Sequence, residues 1–256
     1  MFQSPPNANR QNVICNAVTD DLKNTDVLIQ KYMHIFGYYH DNNRKVAALN
    51  LWVNGHRIFH GATIVKNFDT YKNIPSAKNS PPDIKTLWPF VEDNIIDHTR
   101  IITCFENFMK GFLLLNKCVV HKLSNKNKTL KNVQVDRPIK MDEIFSEASF
   151  KNFAQDKPEQ WETTSNTVNF SWLLKPEYQK IINLPADIIS VIKDINEERN
   201  NLHFISVESF QFGKPTIEKY AKIIDFVEKI IKPSIHGLIQ DIDLIEKNMQ
   251  DKRHSI

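Results

Sequence analysis

The sequence predicts an all-α protein, and three observations predict it. Apolar residues recur at three- and four-residue steps through most of the chain beyond Asp20, the spacing that lines one face of a helix. The chain holds only 6 glycines, too few for a sandwich, a barrel or a glycine-lined phosphate loop. An apolar fraction of 41% over 256 residues is ample for a sizeable core.

Taken in order, residues 1–16 are rich in Asn, Gln and Pro, lack a period, and are read as a mobile tail. Residues 17–256 are read as a single helical domain. Leu22, Val27, Leu28, Met33, Ile35 and Phe36 suggest a first helix, ending at the turn-forming His40-Asp41-Asn42-Asn43. A second runs from Arg44 toward Asn67, with Val46, Leu49, Val53, Ile64 and Phe68 on its buried side. Ser80-Pro81-Pro82 breaks the chain and starts a helix, because proline suits a first turn and disrupts an interior. Beyond it Leu87, Phe90, Val91, Ile95, Ile102, Phe105, Met109, Phe112, Leu113 and Val119 make the clearest helical pattern of the sequence.

The pattern fails between Lys122 and Lys140, where six basic residues meet one acid, Asp136, and Leu130, Val133 and Val135 hint at extended structure. Residues 122–170 are read as an irregular, exposed insertion with a short helix near Met141 to Phe153 and an irregular stretch through Asn169. A solvated loop and an arm for a phosphate backbone are both readings of its basic part. Helices return from Pro176 to Phe204 and from Pro215 to about Lys252, with Pro233 expected to kink or divide the last.

A net charge of +3 from nearly balanced acids and bases excludes a global polycation, so any basic site is local. Cys15, Cys104 and Cys118 are odd in number and widely spaced, which fits reduced thiols better than a disulfide framework. No basic segment followed by an apolar run opens the chain, and no stretch of about 18 uncharged apolar residues occurs. A cytoplasmic location without a membrane contact is therefore expected.

One charged residue stands in an apolar stripe. Ile188, Val191, Ile192, Ile195 and Leu202 share a helical face, and Arg199 projects from it with His203 at its edge. A buried guanidinium needs a carboxylate, water or a bound anion. In a structural reading, Arg199 bridges helices through a carboxylate such as Glu106. In a functional one, Arg199 and His203, about 5–6 Å apart at Cβ by their four-residue spacing, handle an anion together.

The stretch Glu198-Arg199-Asn200-Asn201-Leu202-His203-Phe204 resembles the signature of the HEPN superfamily, an arginine, commonly followed by asparagine, with a histidine further along a late helix. The order of a long central helix, an insertion, the motif helix and a final long helix is similar to that family's arrangement. The resemblance covers about Pro82 to Val120 and Pro176 to Lys252 and leaves the extra N-terminal helices aside. It implies a HEPN-like bundle and a metal-independent endoribonuclease. His203 would be general acid or base, Arg199 would neutralise phosphoryl charge, Asn200 would orient a reacting group, and Glu106 would position the arginine.

Family members commonly act as homodimers on RNA. Several serve in toxin–antitoxin or antiviral systems, so an antitoxin-like protein is a further partner that the resemblance implies. The family pattern leaves at least four residues between arginine and histidine, and this chain leaves three, which turns the histidine by about 100° on a regular helix. The alternatives are a non-catalytic RNA-binding, nucleotide-binding or dimerisation module, and a helical scaffold with a structural arginine–carboxylate pair.

Neither a cofactor nor a metal is expected. His56-Arg57-Ile58-Phe59-His60 places two histidines on one helical face, but arginine stands where the metalloprotease pattern has glutamate, and no third ligand is evident in sequence. Cys118 and His121 lack a second pair. The aromatic residues Tyr32, Phe36, Tyr38 and Tyr39 are read as core or interface.

Overall fold

A computed structural model describes residues 41–72, 84–124, 134–144, 162–201 and 214–254. Among the described residues the fold is all-α with one two-stranded sheet. The first predicted helix, Cys15 and His203 lie outside the described residues. The helices are α1 (Asp41–Gly61), α2 (Thr63–Lys66), α3 (Phe68–Tyr71), α4 (Ile84–Leu115), α5 (Met141–Ile144), α6 (Phe170–Leu173), α7 (Pro176–Ile182), α8 (Ala186–Asn201), α9 (Lys214–Phe226) and α10 (Lys232–His254). A π-helical segment, Val227–Ile231, joins α9 to α10, and the strands are β1 (His121–Ser124) and β2 (Glu162–Thr167). Among the described residues, no helix is long and apolar enough to cross a membrane.

The chain divides into two compact units, Met1–Ala47 with Leu113–Tyr178, and Ala48–Phe112 with Gln179–Ile256. In the first, α4 ends in a Schellman motif. Lys117, at φ 57°, donates its N–H to the Leu114 carbonyl at 2.9 Å, and Cys118 donates to Leu113 at 2.8 Å. The chain then runs into β1, which pairs antiparallel with β2 around a bulge between His121 and Leu123. The Tyr178 hydroxyl donates to the Gln134 carbonyl at 2.6 Å. Gln134, Pro138, Ile139 and Met141 are buried, so this end of the segment read as exposed is packed. Glu162–Thr167 is a strand, not an irregular stretch. Its β-branched threonines suit a pleat, but it lacks the apolar alternation that announces one.

In the second unit the buried line of α1 is Ala48, Trp52, Gly55 and Phe59. The expected Val46, Leu49 and Val53 are half-buried, because small residues on the neighbouring face let the helices approach closely. A Cβ on Gly55 would lie 2.7 Å from the Phe108 ring, and one on Gly111 would lie 2.2 Å from Trp52 Nε1. The second predicted helix is also broken at Ala62, whose backbone is extended at ψ 132°.

The run from Pro176 to Phe204 is two helices. Asn183, at φ 57°, ends α7 and donates its N–H to the Gln179 carbonyl at 2.8 Å. The Pro185 carbonyl then accepts the first bond of α8, from Ile189 at 3.0 Å. The run from Lys214 to His254 is divided, as expected, by the π-helical segment Val227–Ile231 just ahead of Pro233. Lys232 donates to Val227 five residues back, and the Ser234 hydroxyl donates to the Ile230 carbonyl at 2.7 Å, so the turn widens where proline has no N–H to give.

Candidate functional site

Helix α8 buries Ile188, Val191, Ile192 and Ile195. One further turn along, the partly exposed Glu198 pairs with the neighbouring helices. Its Oε1 accepts from Lys219 Nζ of α9 at 2.7 Å, and its Oε2 lies 3.3 Å from His98 Nε2 of α4. Asp194, one turn back, also faces Lys219 at 3.4 Å. Burial alone would lower the Lys219 pKa, but Glu198 and Asp194 outweigh it and hold the pKa above its ordinary value.

His98 is fully buried and stacks on Tyr220, with ring centroids 6.3 Å apart. Neither ring nitrogen has a hydrogen-bond partner among the described residues. Burial, helped by the charge of Lys219, depresses its pKa to about 4, so the ring is neutral at pH 7. Beside it, the fully buried Asp97 accepts the Ile64 N–H at 2.6 Å and the Arg100 guanidinium at 3.1 Å. Arg100 also donates to the Gly61 carbonyl at 3.3 Å, so the pair fastens the corner between α1 and α2.

Arg199 is half-buried at the end of α8, and its Nη2 donates to Asn200 Oδ1 at 3.1 Å. Among the described residues no carboxylate is ion-paired with it. Glu106 does not join Arg199. It takes Lys110 Nζ at 2.5 Å, one turn along its own helix. Arg199 and Asn200 are thus brought together, and Glu106 is bonded elsewhere.

The residues that sequence reasoning missed are His98, Glu198 and Lys219. A signal existed, since His98 stands four residues before Ile102 and seven before Phe105, inside the stripe of α4. Sequence reasoning also left His56 and His60 without a third ligand, and Glu228 stands beside them, its Oε1 3.1 Å from His60 Nε2. Cys104 and Cys118 are buried and free, and burial raises both thiol pKa values, Cys118 to about 11. Neither is a poised nucleophile.

Compared with protein-family models, with curated proteins and with solved structures, the chain matches none.

Proposed function

We propose that the chain is a HEPN-like protein directed at RNA, with Arg199 and Asn200 as its phosphate-binding end and metal-independent endonucleolytic cleavage as its reaction. The observation that supports this reading is the state of Arg199. Its guanidinium is half-exposed and bonded to a neutral amide, so its charge is not spent on a carboxylate among the described residues. Such a planar fork suits a phosphodiester, whose oxygens it can meet in pairs.

In this reading His203 removes the proton of the ribose 2′-hydroxyl or returns one to the leaving 5′-oxygen. Arg199 neutralises the charge growing on the phosphoryl oxygens, and Asn200 orients one of the reacting groups. The products are a 2′,3′-cyclic phosphate and a 5′-hydroxyl end. Glu106, held by Lys110, is left out of the constellation. Homodimerisation belongs to the same proposal. One observation favours a second reading, non-catalytic RNA binding: only three residues separate Arg199 from His203.

The test is incubation of the purified chain with mixed single-stranded RNA in EDTA, beside Arg199→Ala and His203→Ala variants of equal folded content. Cleavage to cyclic phosphate ends, reduced at least about a hundredfold in each variant, is the expected result. RNA left intact but bound, with affinity and salt dependence both reduced in Arg199→Ala, would select the binding reading. RNA neither cut nor bound, or cut equally by all three proteins, would remove both.

A further inference from the structure

Four residues along an α-helix bring two side chains to the same face, and α1 does this with His56 and His60. Their ring centroids lie 4.2 Å apart and their Nε2 atoms 3.0 Å apart. Two imidazole nitrogens approach so closely with advantage only when a proton or a cation lies between them. Glu228, on the π-helical segment of the same unit, adds a carboxylate oxygen 3.1 Å from His60 Nε2. One donor atom from each of the three lies within 4.8 Å of the others.

Two ligand atoms each about 2.05 Å from a tetrahedral zinc ion are about 3.3 Å apart. The His56–His60 and His60–Glu228 separations fall within a few tenths of an ångström of that edge, so small side-chain rotations admit the ion. Two imidazoles and one carboxylate select zinc, or a neighbouring first-row divalent ion, over magnesium and calcium, which take oxygen ligands.

The surroundings fit this assignment. Lys232 holds the other Glu228 oxygen, Oε2, at 2.6 Å, and leaves Oε1 facing the histidines. Lys232 and His236 are the other basic side chains that face His56. His60 and Glu228 are 42% and 34% exposed, so an ion can enter from solvent. The glutamate sits on a π-turn, a deviation that frequently marks functional positions.

We infer that His56, His60 and Glu228 form a zinc-binding site, with water as the fourth ligand. The site fastens α1 to the π-turn. Arg57, in place of the glutamate that follows the first histidine in metalloproteases, leaves it without that chemistry's general base. The inference is independent of the RNA-directed reading, whose assay is run in EDTA.

The experiment is titration of the metal-stripped chain with zinc against a chromophoric chelator, with cobalt as a spectroscopic probe of coordination. One equivalent of zinc and a tetrahedral cobalt spectrum are expected in the wild type, with affinity at least tenfold weaker in His60→Ala and in Glu228→Gln. At about a hundredfold excess over Kd, zinc should raise the wild-type melting temperature by roughly 5–10 °C and either variant by at most about half as much. Glu228→Gln is nearly isosteric and keeps the test valid if the alanine variant folds poorly. No zinc uptake by the wild type, or equal uptake by the variants, would overturn the assignment.

Discussion

Gly111 is the seat of Trp52. The indole N–H donates to the Phe108 carbonyl at 3.0 Å, and the ring meets Phe112 edge to face at 4.9 Å. A Cβ at position 111 would lie 2.2 Å from Nε1 and 2.4 Å from Cδ1 of the indole, so the whole ring would have to move. Gly111→Ala should therefore destabilise the second unit by about 3 kcal/mol despite alanine's better helix propensity, which returns at most about 1 kcal/mol. Urea denaturation followed by tryptophan fluorescence reads this, and a variant as stable as the wild type would refute the account. Residues of this kind were not legible in the sequence. A glycine inside a helical run gives no hydrophobic signal, and whether it is a weakness or a seat depends on a tryptophan far away in the chain. Arg199 was legible as a charge in an apolar stripe, but which of two adjacent charges pairs with a neighbouring helix was not. Glu198 does so because Lys219, on another helix, is there to receive it.

At the scale of elements, the end of α4 shows what local rules do specify. Its Schellman motif needs a residue in the left-handed region at Lys117, where a Cβ is unfavourable. Lys117→Gly should stabilise the chain by about 1 kcal/mol, the left-handed strain relieved less the extra entropy of the unfolded glycine. Equilibrium denaturation would measure it, and a loss of stability would mean that the lysine side chain contributes more than its strain costs. Long elements with strong periods were legible for the same reason that they are stable: Ile102, Phe105, Met109 and Leu113 are buried in α4 where their spacing puts them. The phase of α1 was not, because its buried line includes Ala48 and Gly55, which do not stand out from a polar background. Strand β2 was missed because Glu162-Thr163-Thr164-Ser165-Asn166-Thr167 has no apolar alternation, and its partner β1 lies far off in sequence. The third ligand Glu228 was hidden from sequence reasoning by the same distance.

For the molecule as a whole, the buried groups set a response to acid. His98 is neutral in the folded state, with a pKa of about 4, and titrates near 6.5 once unfolded. The unfolded chain therefore binds the extra proton between these values, and stability falls as pH falls through that window, being fully present above it. From about pH 7.5 to about pH 5 this one residue should remove about 2 kcal/mol. His56, lowered chiefly by burial, acts in the same direction, more weakly because water reaches it. A second stage follows at lower pH. The Glu143 carboxylate is held below its ordinary pKa by the Arg137 hydrogen bonds, and Glu228 by Lys232, so both contribute above the unfolded carboxylate range and lose that contribution as they protonate. His98→Phe separates the two stages. It keeps a ring against Tyr220 and removes two buried nitrogens that lack partners among the described residues, so its stability at about pH 7.5 should stay within about 1 kcal/mol of the wild type. Between that pH and about pH 5 it should lose little, while the wild type loses its 2 kcal/mol or so. Urea denaturation of both proteins at the two pH values decides the matter: equal losses would mean that His98 takes up its proton in the folded state, with Glu198 turning from Lys219 to receive it.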